Sequence, residues 1–472
     1  MYISVKKELL VQTLAHANRI IEKRAASPVL GCILFDANSD GIKITATNMD
    51  MNIIDIIEFH PVDCIVSEPG TYCLPVSLLY DISKKFISNS NVIISSKNKD
   101  EDNPTKEIHI TNNKTNFSIH YIESSAFPPL NLVDNSYSDI TFSMKSEDLK
   151  NAIDMSKVSM SQDIIRAQLN GIYIHYNEAD DTLRFVSTDL FRISCASIKA
   201  PENSNNMKPI IISKKTVVEL LHMLSDIDKD DIVNIKLSSI GEQVKQITLE
   251  ININDNIKSF YSSRIVYGSF PEYKTALEIN NNKVLVVNIK EFISAIDRVD
   301  TIVSDVSNIG SSRTIQLSIS NDKLTISGAN KELGKANEEL ECKYITSKNT
   351  MENNNIENNP ILEVNNDDIY DADLDNILGL DSNDNKDSQI FEPEVPNSID
   401  NEFNVCFNSK YLLELVKPIL DLKMNTKEVY LYFDSNVSPT LIKPTLDGVD
   451  NKANNSNLSL VSVIMPVEII HK

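Results

Sequence analysis

The residues best equipped for chemistry are a run of carboxylates, Asp367, Asp368, Asp371, Asp373 and Asp375, crowded into nine positions of a 472-residue chain. Hard divalent cations take such oxygen ligands, and a bound metal can activate water against a phosphodiester. That pattern keeps a carboxylate metal-dependent nuclease open as one function class, beside the plainer reading of a solvated acidic loop. Other chemistries lack their residues. The six cysteines (Cys32, Cys64, Cys73, Cys195, Cys342, Cys406) form no C-x-x-C pair and have no histidine at ligand spacing, so they read as small buried hydrophobes. The seven histidines contain no H-E-x-x-H, and no serine or cysteine nucleophile motif is present. Only 11 glycines occur in 472 residues, and neither a P-loop nor a dinucleotide fingerprint appears. No cofactor is implied.

Where the charge sits says more than its total. Of the net −22, residues 351–402 carry −14, with 15 acidic residues against one basic. The other 420 residues hold 52 acids and 44 bases, only −8. The acidic stretch also has asparagine runs and few aromatics, a disorder composition, and it reads as an insertion at about 346–401. Within it, Leu374, Ile377, Leu378 and Leu380 are spaced as a short apolar docking motif. No apolar run approaches the roughly 20 residues of a membrane span, and the amino terminus has no signal-peptide core. These features place the chain in the cytoplasm.

The elements repeat three times. A polar residue, an apolar residue and a lysine open a helical pattern at Ser4-Val5-Lys6, Ser143-Met144-Lys145 and Asn288-Ile289-Lys290. An alternating strand ends in a polar turn at Thr47-Asn48, Thr188-Asp189 and Ala329-Asn330, at two spacings of 141. A second helix carries an acid before an apolar residue at Asp81-Ile82, Glu219-Leu220 and Glu414-Leu415, and the 57-residue excess in the last interval matches the acidic insertion. Proline linkers, Phe127-Pro128-Pro129-Leu130 and Phe270-Pro271-Glu272-Tyr273, separate the repeats. The expected domains are 1–125, 138–265 and 280–472. Each unit reads as two amphipathic helices and about eight alternating strands, an α+β layer with helices packed on antiparallel sheets. In the first helix Leu10, Leu14, Ala17 and Ile21 share one face, opposite Gln12, Arg19 and Lys23. The six helical segments (6–24, 77–86, 147–157, 214–224, 290–300, 409–423) sum to +4, which leaves −26 for everything else. Helices gathered on one surface give a mildly basic face on an acidic body, suited to weak, nonspecific contact with phosphates.

The order of repeats, together with Ser27-Pro28-Val29-Leu30, Thr45-Ala46-Thr47-Asn48-Met49-Asp50-Met51, Leu169-Asn170-Gly171, Thr188-Asp189, Gly268-Ser269-Phe270-Pro271-Glu272-Tyr273 and Val463-Ile464-Met465-Pro466-Val467, resembles the bacterial sliding clamp family, the beta subunit of DNA polymerase III. The resemblance spans nearly the whole chain outside 346–401. It implies three DNA-clamp domains forming half of a ring, and a head-to-tail homodimer that encircles double-stranded DNA without reading sequence. It also implies a clamp loader that opens the ring, a replicative polymerase and other partners with short clamp-binding motifs, and no catalysis. A protein-interaction scaffold unrelated to DNA stays open as the other reading.

Carried over residue by residue, the resemblance places DNA contacts at Arg24, Arg166, Lys214 and Lys215. It places a partner-peptide pocket at Leu169, Thr188, Leu190, Arg192, Ile193, Pro271, Ala276, Val437, Pro439, Val463, Met465, Pro466 and Val467. The dimer seam falls at Lys114, Phe117 and Ile119 against Ile302, Val303, Glu338 and Glu339. Two departures stand out. Leu190-Phe191 replaces the Gly-His usual after the Thr-Asp pair, giving a bulkier rim, and Ala167-Gln168 replaces paired aromatics before Leu169.

Overall fold

A computed structural model describes residues 1–22, 27–96, 106–130, 140–278, 283–304, 313–320, 322–346, 402–421, 426–444 and 458–467. Seven α-helices occur among these: α1 (Lys7–Ile20), α2 (Val76–Lys84), α3 (Ser146–Ser156), α4 (Lys214–Ser225), the single turn α5 (Lys274–Leu277), α6 (Ile289–Val303) and α7 (Ser409–Asp421). The six long ones fall on the six helical segments read from the sequence. Each buries one stripe. In α6, Phe292, Ile293, Ile296, Val299 and Val303 are all buried, each contributing about 1.5–3 kcal/mol of transfer free energy. Asn288 caps that helix by accepting from the amides of Lys290 and Glu291.

The strands pair antiparallel into three sheets, and two of them run through the boundaries between repeats. Cys64–Glu68, Tyr2–Lys6, Asn91–Ser95, Glu107–Asn112 and Thr115–His120 form the first sheet, wholly within the first repeat. In the nine-stranded second sheet, Met51–Glu58 of the first repeat pairs with Ile257–Arg264 of the second. In the twelve-stranded third sheet, Arg192–Lys199 of the second repeat pairs with Leu458–Ile464 of the third. The second and third repeats contribute eight described strands each.

The turn that repeats at intervals of 141 residues has the same backbone chemistry each time. Asn48 accepts from the amides of Asp50 and Met51, Asp189 from those of Phe191 and Arg192, and Asn330 from those of Glu332 and Leu333. A short side-chain acceptor two to three residues upstream is the defining bond of an Asx turn. Gly171, in the Leu169-Asn170-Gly171 motif, is there for space: a Cβ would sit 2.1 Å from the Ile212 carbonyl oxygen.

The helices pack in pairs, α1 on α2, α3 on α4 and α6 on α7, against the sheets. Across the first boundary α1 touches α4; across the second, α7 touches the turn Lys157–Ser159 that extends α3. The pairs therefore follow one another as the repeats do. All six cysteines are buried and free, as their types suggested. The strand Gly334–Thr346 ends where the acidic segment begins, and Glu402–Asn408 resumes the third repeat by pairing with Thr314–Ser320. The carboxylate run at 367–375 and the apolar residues Leu374, Ile377, Leu378 and Leu380 lie outside the described residues. Among those residues no helix is long and apolar enough to cross a membrane.

Candidate functional site

The boundary between the second and third repeats gathers most of the expected pocket. Strand pairing sets Arg192 opposite Ile464 and Ile193 opposite Val463, while Leu441 lies beside Val463 on the other side. Val463, Leu441 and Tyr432 form a small apolar cluster on which Ile193 and Leu277 pack. The Met465 amide donates to the Phe191 carbonyl at 2.9 Å, which ties the terminal segment to the Asp189 turn. The Val467 amide reaches the Cys406 carbonyl at 2.8 Å. Thr188 Oγ1 donates to the Arg192 carbonyl at 2.8 Å and accepts from the Leu190 amide, closing the turn.

Burial divides the expected pocket residues. Leu169, Thr188, Arg192 and Val463 are buried in this conformation, so they form the floor and frame rather than the open wall. Exposed apolar surface comes from Leu190, Phe191, Val437 and Met465. Leu190 holds φ at +77°, a left-handed value that glycine adopts freely and leucine only under strain of roughly 1–2 kcal/mol. The turn thus carries an exposed leucine side chain on a backbone conformation that suits glycine. Pro271 and Ala276 sit on the linker, whose Phe270 ring stacks on Tyr173 at 4.7 Å and whose Tyr273 hydroxyl meets His175 Nε2 at 2.6 Å. Pro439 immediately precedes Thr440, the partner of Ile464, and Pro466 follows Met465, half-buried.

Next to this wall a cleft of about 940 Å³ opens between α4, α7 and the Asp189 turn. It brings in residues that motif reading passed over. Arg192 Nη1 donates to Glu414 Oε2 at 2.5 Å and its Nε to Asp189 Oδ2 at 3.0 Å, while the guanidinium lies 4.2 Å over the Tyr411 ring. Phe191, Tyr411 and Glu414 line this cleft. A signal for Glu414 was present, since it is the recurring acid of the second helix. Its counterpart Glu219 likewise faces an arginine of the preceding repeat, Arg19, at 3.5 Å.

The expected DNA contacts separate into two kinds. Arg24 lies outside the described residues. Lys214 and Lys215 open α4, where the helix dipole disfavours cations, so helix stability does not explain them. The Lys214 ammonium donates to Gln162 in the loop that carries Arg166, which brings Arg166 and the start of α4 together. Arg166 is exposed and only loosely paired, 4.0 Å from Asp163; Lys215 reaches Glu22 of the first repeat at 3.4 Å.

Along the expected seam, Lys114 and Phe117 are exposed, whereas Ile119 and Val303 are buried inside their own repeats and offer no side-chain surface to a second copy. Ile302 is half-buried and Glu339 exposed. Glu338 is already held by Arg298, which donates to both carboxylate oxygens at 2.8 and 2.9 Å.

Repeats joined sheet to sheet across both boundaries define a protein of the clamp fold, a segment of a ring. Three consecutive family descriptions match it: DNA polymerase III beta subunit, N-terminal domain over residues 1–132, central domain over 143–272 and C-terminal domain over 274–355. The chain belongs to the DNA polymerase III beta subunit family. It is similar to the beta sliding clamp of Caulobacter vibrioides (strain NA1000 / CB15N), 28% identical over 352 residues that cover 73% of this chain and 85% of the relative. The beta sliding clamp of Pseudomonas aeruginosa is 24% identical over 344 residues, with the same coverage of 73% and 85%. In fold it matches the solved sliding clamp of Bartonella birtlesii bound to griselimycin, with TM-score 0.73, 24% identity and coverage of 99% of this chain and 100% of the other.

Proposed function

We propose that two copies of this chain join head to tail into a closed ring around duplex DNA, tether the replicative polymerase and other proteins that carry short hydrophobic motifs, and catalyse nothing. One observation carries the reading. The last strand of the second repeat pairs with Met51–Glu58, and the last strand of the third pairs with Arg192–Lys199. By the same rule the strand at the open end of the first sheet, Thr115–His120, needs the equivalent strand of a third repeat, Gly334–Thr346, which within its own chain pairs only with Lys323–Asn330 and Lys283–Asn288. Five of the six residues of Thr115–His120 are exposed, an open edge that invites pairing. A heterologous contact that repeats with rotation closes into a ring, and a ring threaded by DNA slides without dissociating.

The pocket's chemistry suits the tethering role. Exposed Leu190, Phe191, Val437 and Met465 offer apolar surface to a short hydrophobic peptide. Arg166, Lys214 and Lys215 supply phosphate contacts that are few and weak, as a sliding protein requires. Clamp loader and polymerase enter as partners on the strength of the family.

The test is retention on DNA after loading. Protein loaded onto nicked circular DNA should stay through a high-salt wash and leave when the circle is linearised. Equal loss from both substrates contradicts encirclement.

A further inference from the structure

The boundary between the first and second repeats contains a buried charge network that strand pairing does not need. His16, on α1, is 1% exposed. Its Nδ1 donates to Asp55 Oδ2 at 2.8 Å, and Asp55, itself 1% exposed, accepts on its other oxygen from Ser259 of the second repeat at 2.5 Å. The opposite ring nitrogen, Nε2, faces Asp226 Oδ2 of the second repeat at 3.4 Å, ion-pair distance. One imidazole thus stands between carboxylates from two domains. Neutral histidine has one N–H and satisfies one of them; only imidazolium presents a proton to both.

We propose that His16 is an interdomain pin whose imidazolium locks the first two repeats at a fixed angle, and that its deprotonation or replacement frees the junction to hinge. The inference goes beyond the ring reading, because every group in the pin belongs to a single copy. The charges facing His16 come from each element packed on it: Asp55 on Met51–Glu58, Asp226 and Glu219 at and within α4, and Arg19 on its own helix, which also binds Asp226 at 3.1 Å. Ile257–Arg264 contributes the Ser259 hydroxyl. Burial alone would push the imidazole below its usual range, yet Asp226 and Asp55 outweigh it and raise the group to about 9. At neutral pH the pin is closed; alkaline pH or a change at Asp226 opens it.

Amide hydrogen exchange on the full-length protein at pH 7 tests this, with the other junction as internal control. In His16→Gln, Met51–Glu58 and Ile257–Arg264 should exchange at least tenfold faster, while Arg192–Lys199 and Leu458–Ile464 keep their rates. Unchanged rates at the first junction, or equal acceleration at both, would overturn the pin. Asp226→Asn, which alters only a half-exposed partner, gives a second route should His16→Gln misfold. Imidazole nitrogen NMR should then show the protonation midpoint of His16 falling by at least one pH unit from its wild-type position near 9. A His16 that is neutral at pH 7 in the wild-type protein also overturns the proposal. Neither readout involves DNA or a second copy, so failure of the ring reading leaves them untouched.

Discussion

The two junctions inside the chain share a scaffold and differ in what fills it. At each, an antiparallel pair of strands carries the sheet from one repeat into the next over seven residue pairs. At the first, the position matching Arg192 is Met51, buried against the Tyr261 hydroxyl at 3.0 Å, and the His16 network fills the helix side. At the second, Arg192 sits between Asp189, Glu414 and Tyr411 at the edge of an open cleft. Backbone pairing joins domains equally well in both cases. Side chains decide whether the seam is a welded joint or a receptive groove.

The largest expected effect comes from emptying the welded joint. His16→Ala leaves Asp55 buried beside Ser259 with no counter-charge, which should destabilise the protein by about 3–5 kcal/mol in urea unfolding. Glu414→Gln at the open junction should cost no more than about 1 kcal/mol, since Glu414 is 36% exposed and screened. Equal losses would erase the distinction between the junctions.

Alkaline pH gives the next effect. His16 is raised from 6.5 to about 9, so its stabilisation is complete below about pH 6.5 and disappears as pH rises through 9. A shift of that size corresponds to roughly 3 kcal/mol by linkage, and the unfolding midpoint should fall between pH 7 and 10 in the wild type but much less in His16→Gln. Asp226 lies below its usual range because His16 binds it, so acid should loosen the same junction from the other side.

Smaller changes sharpen the picture of the groove. Met465→Ala removes exposed apolar surface and should weaken a short hydrophobic peptide about tenfold, on the order of 1.4 kcal/mol by fluorescence polarisation, with the unfolding midpoint unchanged. Leu190→Gly exchanges left-handed strain for chain entropy. Stability should move by less than about 1 kcal/mol while peptide affinity drops, and a large destabilisation would mean that Leu190 packs as core.

The repeats, six long helices and linkers were legible because they rest on local signals: apolar periodicity, Asx turns at a fixed spacing and proline. That Thr188-Asp189 and Met465-Pro466 belong together was legible for the same reason, as both lie in recognisable strings, and strand pairing brings them side by side. The pin was not. His16 is separated from Asp55 by 39 residues and from Asp226 by 210; its place on the buried stripe of α1, with Leu9, Thr13 and Ile20, marks it as inward-facing but does not reveal its carboxylate partners. Tyr411 escaped because its contact is with a guanidinium brought in from another repeat, that of Arg192. Ile119 and Val303 were expected at a seam through the family resemblance; the alternation of a strand and the stripe of a helix turn their side chains inward.

The proposed ring depends on a third junction made between copies. Light scattering at micromolar concentration tests it directly: a mass near twice 52.9 kDa agrees with two copies closing edge to edge, and a mass near 52.9 kDa contradicts it.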